Sequence, residues 1–231
     1  MNRFLVVIIL LFLVSCNTDQ PNVIVSGQVA GLKKGTLYLE RLNDTSLVVL
    51  DSMIVNGEPE FLLTTHLDEP DLLYLSLNAN SDNVPRISFF TDSGTVTIRT
   101  TLKRFFHDAK IEGSEHQIIV DEYKNMITQF NNKNLELIKA GLEVSSDSIK
   151  LDSIKNLSDN LLKRKYLFTI NFAKNNRESE VAPYLLLSEV YDANVTYLDT
   201  VYKVFPEHIA NSKYGKKLAN FIEERKKDSI K

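Results

Sequence analysis

Ile111-Glu112-Gly113-Ser114-Glu115-His116-Gln117 divides this chain of 231 residues into two parts of different character. Turn chemistry is concentrated before it. Gly27, Gly31, Gly35, Gly57, Gly94 and Gly113 lie at or upstream of the stretch, as do Pro21, Pro59, Pro70 and Pro85, while only Gly141, Gly215, Pro183 and Pro206 follow. Frequent turns separating short β-branched and aromatic runs are the pattern of many short strands. Strands are expected over residues 23–29, 36–42, 47–55, 60–66, 71–77, 86–91, 95–101 and 105–111. Strict alternation in Thr36-Leu37-Tyr38-Leu39-Glu40 and Thr95-Val96-Thr97-Ile98-Arg99 predicts strands with one buried and one wetted face. Eight such strands predict an antiparallel β-sandwich or a partial barrel.

After Gly113 the period lengthens. Ser114 and Gln117 have the spacing of a capping box, and Ile119, Tyr123, Met126, Phe130, Leu137 and Ile138 recur near helical spacing up to Gly141. A second helix is expected over 147–175, with Ile154, Leu157, Leu161, Phe168 and Phe172 on one face. Three shorter helices follow, over 181–191, 196–205 and 213–226; Pro206 ends one and Gly215 weakens the start of the last. The expected class is α+β, with a β-rich domain over 23–112 and a helical domain over 113–231.

The other informative stretch is the start of the chain. Met1-Asn2-Arg3 is a short positive segment, and residues 4–14 are an unbroken apolar run of secretory length, too short for a membrane span of roughly 20 residues. It ends in Leu13-Val14-Ser15-Cys16, which resembles a bacterial lipobox. That resemblance implies a signal peptide over 1–15, lipidation of Cys16 and a tether over 16–22. Two or more acyl chains would then anchor the protein stably in a membrane. Asn17 in place of Asp, and Asp19 as the single acid of the tether, make the outer membrane facing the periplasm the expected location.

Composition bounds the rest. A net charge of −3 with interspersed signs provides no field for nucleic acid, and 43% hydrophobic with 25% charged residues fits a folded domain. The single cysteine, taken by lipid, leaves no thiol for a disulfide, a redox pair or a thiolate metal site. Gly27, Gly31 and Gly35 repeat at membrane-helix spacing, but polar residues interrupt them and they are read as hairpin and bulge glycines. His66, His107, His116 and His208 show no ligand spacing. Glu58, Glu60, Asp68, Glu69 and Asp71 are read as solvated turn charges. Phe89-Phe90 and Phe105-Phe106 are each read as a strand pair with one ring in the core and one under a neighbouring helix. No catalytic residue, cofactor or metal is expected.

The pattern Asp, then Ser or Thr, then an aliphatic residue, Met or Thr occurs five times, against about one expected from composition. It is similar to the acceptor site of a general bacterial O-glycosylation system. Ser52, Ser148, Ser153, Thr200 and Ser229 are therefore candidate O-glycosylation acceptors. Helix-start preference of Asp and Ser is the competing explanation at Asp147 and Asp228.

Ser26-Gly27-Gln28-Val29-Ala30-Gly31-Leu32, Gly35-Thr36-Leu37-Tyr38-Leu39, Leu50-Asp51-Ser52, the run from Phe89 to Ile98, and Ile111-Glu112-Gly113-Ser114 together resemble a known family. It is the uncharacterised β-rich N-terminal domain of bacterial envelope lipoproteins that usually carry a thioredoxin-like thiol:disulfide oxidoreductase domain. The resemblance covers about residues 23–125, and the following helices look like the spacer leading into the thioredoxin domain. That domain is expected to be absent here: no Trp-Cys-x-x-Cys occurs and the chain has no tryptophan. Redox activity is thus carried over to no residue. The expected role is a non-enzymatic binding or scaffolding module that docks an envelope protein such as a thioredoxin-like one. Alternatives are a small-ligand binder, with a pocket between the β domain and the helices, and a hydrolase with dispersed carboxylates.

Overall fold

The computed structural model describes residues 20–78 and 84–228. Residues 1–19, which include the expected signal peptide and Cys16, and residues 229–231, which include Ser229, lie outside the described residues. The elements are β1 Val23–Ala30, β2 Lys34–Asn43, β3 Ser46–Asn56, β4 Glu60–Thr65, β5 Asp71–Leu77, β6 Arg86–Thr91, β7 Gly94–Thr101 and β8 Lys110–Glu112. Helices follow as α1 Glu115–Glu143, α2 Ser148–Asn175, α3 Val181–Glu189, α4 Val195–Tyr202, α5 Glu207–Ala210 and α6 Lys213–Asp228. The class is α+β.

The strands form two open four-stranded sheets, in the orders β4-β1-β7-β8 and β3-β2-β5-β6. Every pair is antiparallel except β1 with β7, which run parallel. The parallel pair arises because β7 returns beside β1 only after the chain has built the second sheet. Val25, Leu37, Leu39, Leu63, Leu73, Leu75, Phe89 and Ile98 fill the space between the sheets. Alternation sends the opposite residues of β5 and β6, Leu72 and Phe90, outward under the helices. Helices on that outer face make a third layer.

Two local readings need correction. Phe105 and Phe106 do not lie on a strand, and β8 is confined to Lys110–Glu112. Thr100 Oγ1 donates to Phe105 O at 2.6 Å, Thr101 Oγ1 donates to Asp108 Oδ2 at 2.8 Å and Asp108 N donates to Arg104 O at 2.9 Å. These bonds coil residues 101–108 so that Phe105 plugs the sandwich and Phe106 stays exposed. Gly27 is neither a hairpin nor a bulge glycine. It sits inside β1, where a Cβ would lie 1.8 Å from Ile98 O across the parallel pair.

The junction that opened the sequence reading is also the joint of the structure. Gly113 holds φ at +102°, and a Cβ there would meet Thr95 O at 2.2 Å. Ser114 caps α1, accepting from Gln117 N at 3.2 Å while its Oγ donates to Phe90 O at 2.7 Å. The capping box is only half made: Gln117 Oε1 accepts from Phe90 N at 2.8 Å rather than reaching back to the cap. Ser114 and Gln117 thereby satisfy both outward backbone groups of Phe90 on the edge strand β6, which a helix would otherwise leave dry and unpaired.

Around that joint, Leu72 and Phe90 pack with Val120, Tyr123, Phe172, Val181, Leu185 and Tyr214. The Phe90 ring lies 5.7 Å from each of the rings of His116, Tyr184 and Tyr214. A separate helical core gathers Ile170, Leu186, Leu198, Ile209, Leu218 and Ile222. The far ends of α1 and α2 join neither core, and no residue from 128 to 168 is buried. They pair with each other, Gly141 against Ile154, and project as a helical hairpin. The predicted inner face of α2 is accordingly only partly correct, since Leu157 is exposed.

Candidate functional site

Three surfaces combine shape with chemistry. The first is a polar cleft of about 200 Å³ at the end of the sandwich, bordered by Arg41, Asn43, Asp68, Glu69, Asp71 and Lys213. Asp71 opens β5 and is buried, unlike the solvated turn charge expected of it. Its carboxylate accepts from Lys213 Nζ at 2.5 Å, Tyr214 OH at 2.7 Å and its neighbour Leu72 N at 2.8 Å. Glu69 accepts from Lys213 N at 2.7 Å, at the start of α6. Burial, then the Asp71 charge, pushes the Tyr214 hydroxyl far above its ordinary range. With its acceptor sites so occupied, Asp71 is a fastener between β5 and α6 and is not poised for proton transfer.

The second is a groove of about 280 Å³ between α2 and the start of α4, formed by Tyr166, Leu167, Ile170, Ala193, Asn194 and Tyr197, with Lys163 at its rim. Helical spacing on α2 brings Tyr166, Leu167 and Ile170 to its floor. The segment opposite is pinned. Arg225 Nη1 donates to Tyr191 O and Nη2 donates to Ala193 O at 3.2 Å, Tyr166 OH donates to Asp192 Oδ1 at 2.6 Å, and Asn194 caps α4 by accepting from Thr196 N at 2.9 Å. Partial burial and the Asp192 carboxylate raise the Tyr166 pKa to about 12, so the hydroxyl stays a donor near neutrality. Leu167, Tyr191 and Tyr197 are each about half exposed around this groove. An apolar floor, tyrosines and one cation supply binding area but no acid–base pair or nucleophile with its base.

The third comprises the two sides of the α1–α2 hairpin, with shallow grooves along Phe130, Asn134, Ser158 and Leu162 on one side and along Lys133, Leu137, Leu157 and Arg164 on the other.

The expected acceptors do not converge. Ser52 is exposed on β3, Ser148 and Ser153 on α2, and Thr200 on α4. Their aspartates are engaged structurally in three cases. Asp51 accepts from Ser52 N and from Thr64 N, tying the edges of the two sheets; Asp147 caps α2; Asp199 pairs with Lys203 and Lys226. Backbone and side-chain bonds from Lys150 hold the Asp147 carboxyl below its ordinary range, and hydrogen bonds from Lys203 and Lys226 do the same for Asp199.

The histidines are scattered: His66 near Gln20 and Asp68, His107 against Phe106, His116 with Ser179, and His208 on α5. Among the described residues no group of three metal-ligating side chains forms a candidate site, and no helix is long and apolar enough to cross a membrane. The space between sheet and helices, where a ligand pocket was the alternative expectation, is filled by the Phe90, Tyr123, Phe172 and Tyr214 rings. The α2–α4 groove escaped the sequence reading because its members come from two segments far apart in the chain, 163–170 and 193–197. Tyr191 and Tyr197 flanking an Asp-Ala-Asn turn were the available signal.

Residues 23–118 match the family described as a domain of unknown function, DUF4369, a span covering the whole sandwich and the cap of α1. No curated protein and no solved structure matches the chain.

Proposed function

We propose that this protein is a lipid-anchored module of the cell envelope, without catalytic activity of its own, that docks an envelope partner of the thioredoxin-like class. Acyl chains on Cys16 hold it at the outer membrane, facing the periplasm. The observation that carries the docking reading is the preformed groove between α2 and α4. Tyr197 in the groove and Tyr191 beside it are half-exposed apolar rings with polar tips, the residue chemistry enriched at protein interfaces, and half-exposed Leu167 adds apolar area between them. Their backbone supports are already fixed by Arg225, Tyr166 and Asn194, so a partner need not pay to order them. The resemblance of the chain to the domain that precedes thioredoxin-like domains supplies the partner class.

An anchor at Cys16 would hold the sandwich close to the membrane. Asn22 Nδ2 donates to Leu67 O at 2.7 Å and Asn22 Oδ1 accepts from Leu67 N at 2.9 Å, fixing where the tether leaves the sandwich. From Cys16 to Gln20 the chain can reach about 14 Å, which keeps that end of the sandwich close to the lipid surface. Ser52, Ser148, Ser153 and Thr200 have the exposure that glycan acceptors need.

The test is crosslinking in intact cells followed by affinity capture, comparing the native chain with Leu167→Asp and Cys16→Ala. A single thioredoxin-like partner, recovered with the native chain and lost with Leu167→Asp, is the expected result. Equal recovery from native and Leu167→Asp chains would refute docking at this groove.

A further inference from the structure

The end of the sandwich at which the tether leaves also carries the β2–β3 turn. Val23 pairs with Thr65 of β4 and Gly94 of β7, so the start of β1, the end of β4 and the start of β7 lie together. Asp71 at the start of β5 pairs with Thr91 at the end of β6, and only Asp92 and Ser93 separate Thr91 from Gly94. That end of the second sheet is therefore at the same place. β2 runs antiparallel to β5 and finishes there too, turning at Asp44 and Thr45 into β3. His66 Nδ1 donates to Gln20 O at 2.9 Å and Gly94 N donates to Asn22 O at 2.8 Å, which fixes the path of the tether back to Gln20.

At this turn the second sheet narrows to a ribbon. β5 pairs with β2 no further than Arg41, and from Leu42 to Leu47 the two strands pair only with each other. Leu42 stands opposite Leu47 and Glu40 opposite Val49, so Leu42, Leu47 and Val49 share one face. The helices cover Leu72 and Phe90 on β5 and β6, but Leu42 and Val49 of the ribbon are 40% and 48% exposed. Arg41 at the base of the ribbon and Asp44 at its apex make no ion pair among the described residues.

We infer that this ribbon is a membrane contact, on which Leu42, Leu47 and Val49 rest at the boundary between headgroups and acyl chains of the leaflet that holds the lipid of Cys16. The inference rests on the lipid anchor proposed above. The occupant follows from the tether: Cys16 lies within about 14 Å of Gln20, so the end that carries the ribbon stays beside the bilayer. Ile54, Leu102 and Phe106 are also exposed, but they lie towards the opposite end, and β1 alone rises about 23 Å between the two ends. Three aliphatic side chains make a weak contact by themselves. Tethering raises their effective concentration at the surface, so that a weak contact suffices to set the orientation of the domain. Arg41 and Asp44, of opposite charge on either side of the aliphatic set, match the phosphate and ammonium of a zwitterionic headgroup.

The experiment uses the full lipoprotein on phosphatidylcholine vesicles. Its one native cysteine carries the lipid, so Val49→Cys supplies a single free thiol for an environment-sensitive fluorophore, with Phe106→Cys as the control at the opposite end. Emission from position 49 is expected to shift to the blue and to be quenched by lipid brominated near the top of its acyl chains. Emission from position 106 is expected to be unaffected, and adding Leu42→Asp and Leu47→Asp should abolish the quenching at 49. A lipidated, vesicle-bound chain without quenching at 49 overturns the inference and leaves the anchor standing. Equal quenching at 49 and 106, or quenching at 49 that survives the two aspartates, overturns it as well. A second label on the thiol of Cys16, with an intact mass that lacks lipid, overturns the anchor and this inference with it.

Discussion

Tyr214→Phe removes one hydroxyl and leaves the ring that packs on Phe90 and Tyr184. The lost group donates to the buried Asp71 carboxylate at 2.7 Å, a bond to a charged acceptor worth about 2 kcal/mol. With a urea slope of about 2.5 kcal/mol/M for a chain of this size, the midpoint should fall by about 0.8 M near pH 8. The same geometry makes the difference pH-dependent. Burial and Asp71 raise the folded Tyr214 pKa above its ordinary value of 10.0, so the folded state keeps a proton that the unfolded state releases. Stability from this residue is therefore complete below pH 10 and is lost as pH rises above it, at about 1.4 kcal/mol per pH unit. The variant has no such proton to keep. By pH 11 the gap between native and variant chains should shrink from about 2 to about 0.6 kcal/mol. Urea unfolding at pH 8 and pH 11, followed by circular dichroism, reads both numbers. A gap that stays constant with pH would mean that Tyr214 ionises normally in the folded protein, and would refute its role as a buried donor to Asp71.

Gly113→Ala combines a disfavoured positive φ with a clash on Thr95 O, and should destabilise the chain by about 3 kcal/mol in the same assay; a loss below about 1 kcal/mol would show that the joint relaxes. Gln117→Leu leaves Phe90 N without its acceptor under a packed helix and should cost about 2 kcal/mol, against a few tenths if water replaces the side chain. Sheet and helix signals should be lost together in both variants, because the Phe90 cluster joins the layers. If Ser52, Ser148, Ser153 or Thr200 carries a glycan, the intact mass of the native lipoprotein will exceed peptide plus lipid; a mass equal to peptide plus lipid excludes glycosylation at all the candidate acceptors.

The sandwich was legible because alternation and turn residues agree along most strands, as in β2 and β7. Strand pairing was not. Nothing in β1 or β7 alone announces a parallel neighbour, and the cost of a side chain at Gly27 appears only when Ile98 lies alongside. Residues 105–108 misled because Phe105 and Phe106 favour strands, while the bonds that coil them come from Thr100 and Thr101, outside the run. In the helices, periodicity located the elements but not their depth. Leu157 keeps the spacing of a core residue on a part of α2 that no core covers. The candidate groove was hidden for a related reason: its floor is one turn of α2 and its wall is a turn closed by Arg225, far along the chain. Capping and junction chemistry stood in between, since Ser114 was readable as a cap while the use of Gln117 depended on an edge strand beside it.

The measurement that bears most directly on the central claim is site-specific photocrosslinking in intact cells from a photoreactive residue at Tyr197, at the rim of the α2–α4 groove, with Lys216 on α6 as the control position. One dominant crosslinked product, formed from position 197 but not from 216 and containing an envelope protein of thioredoxin-like fold, is the expected result. No product from 197, or the same products from both positions, would contradict a docking function for this surface.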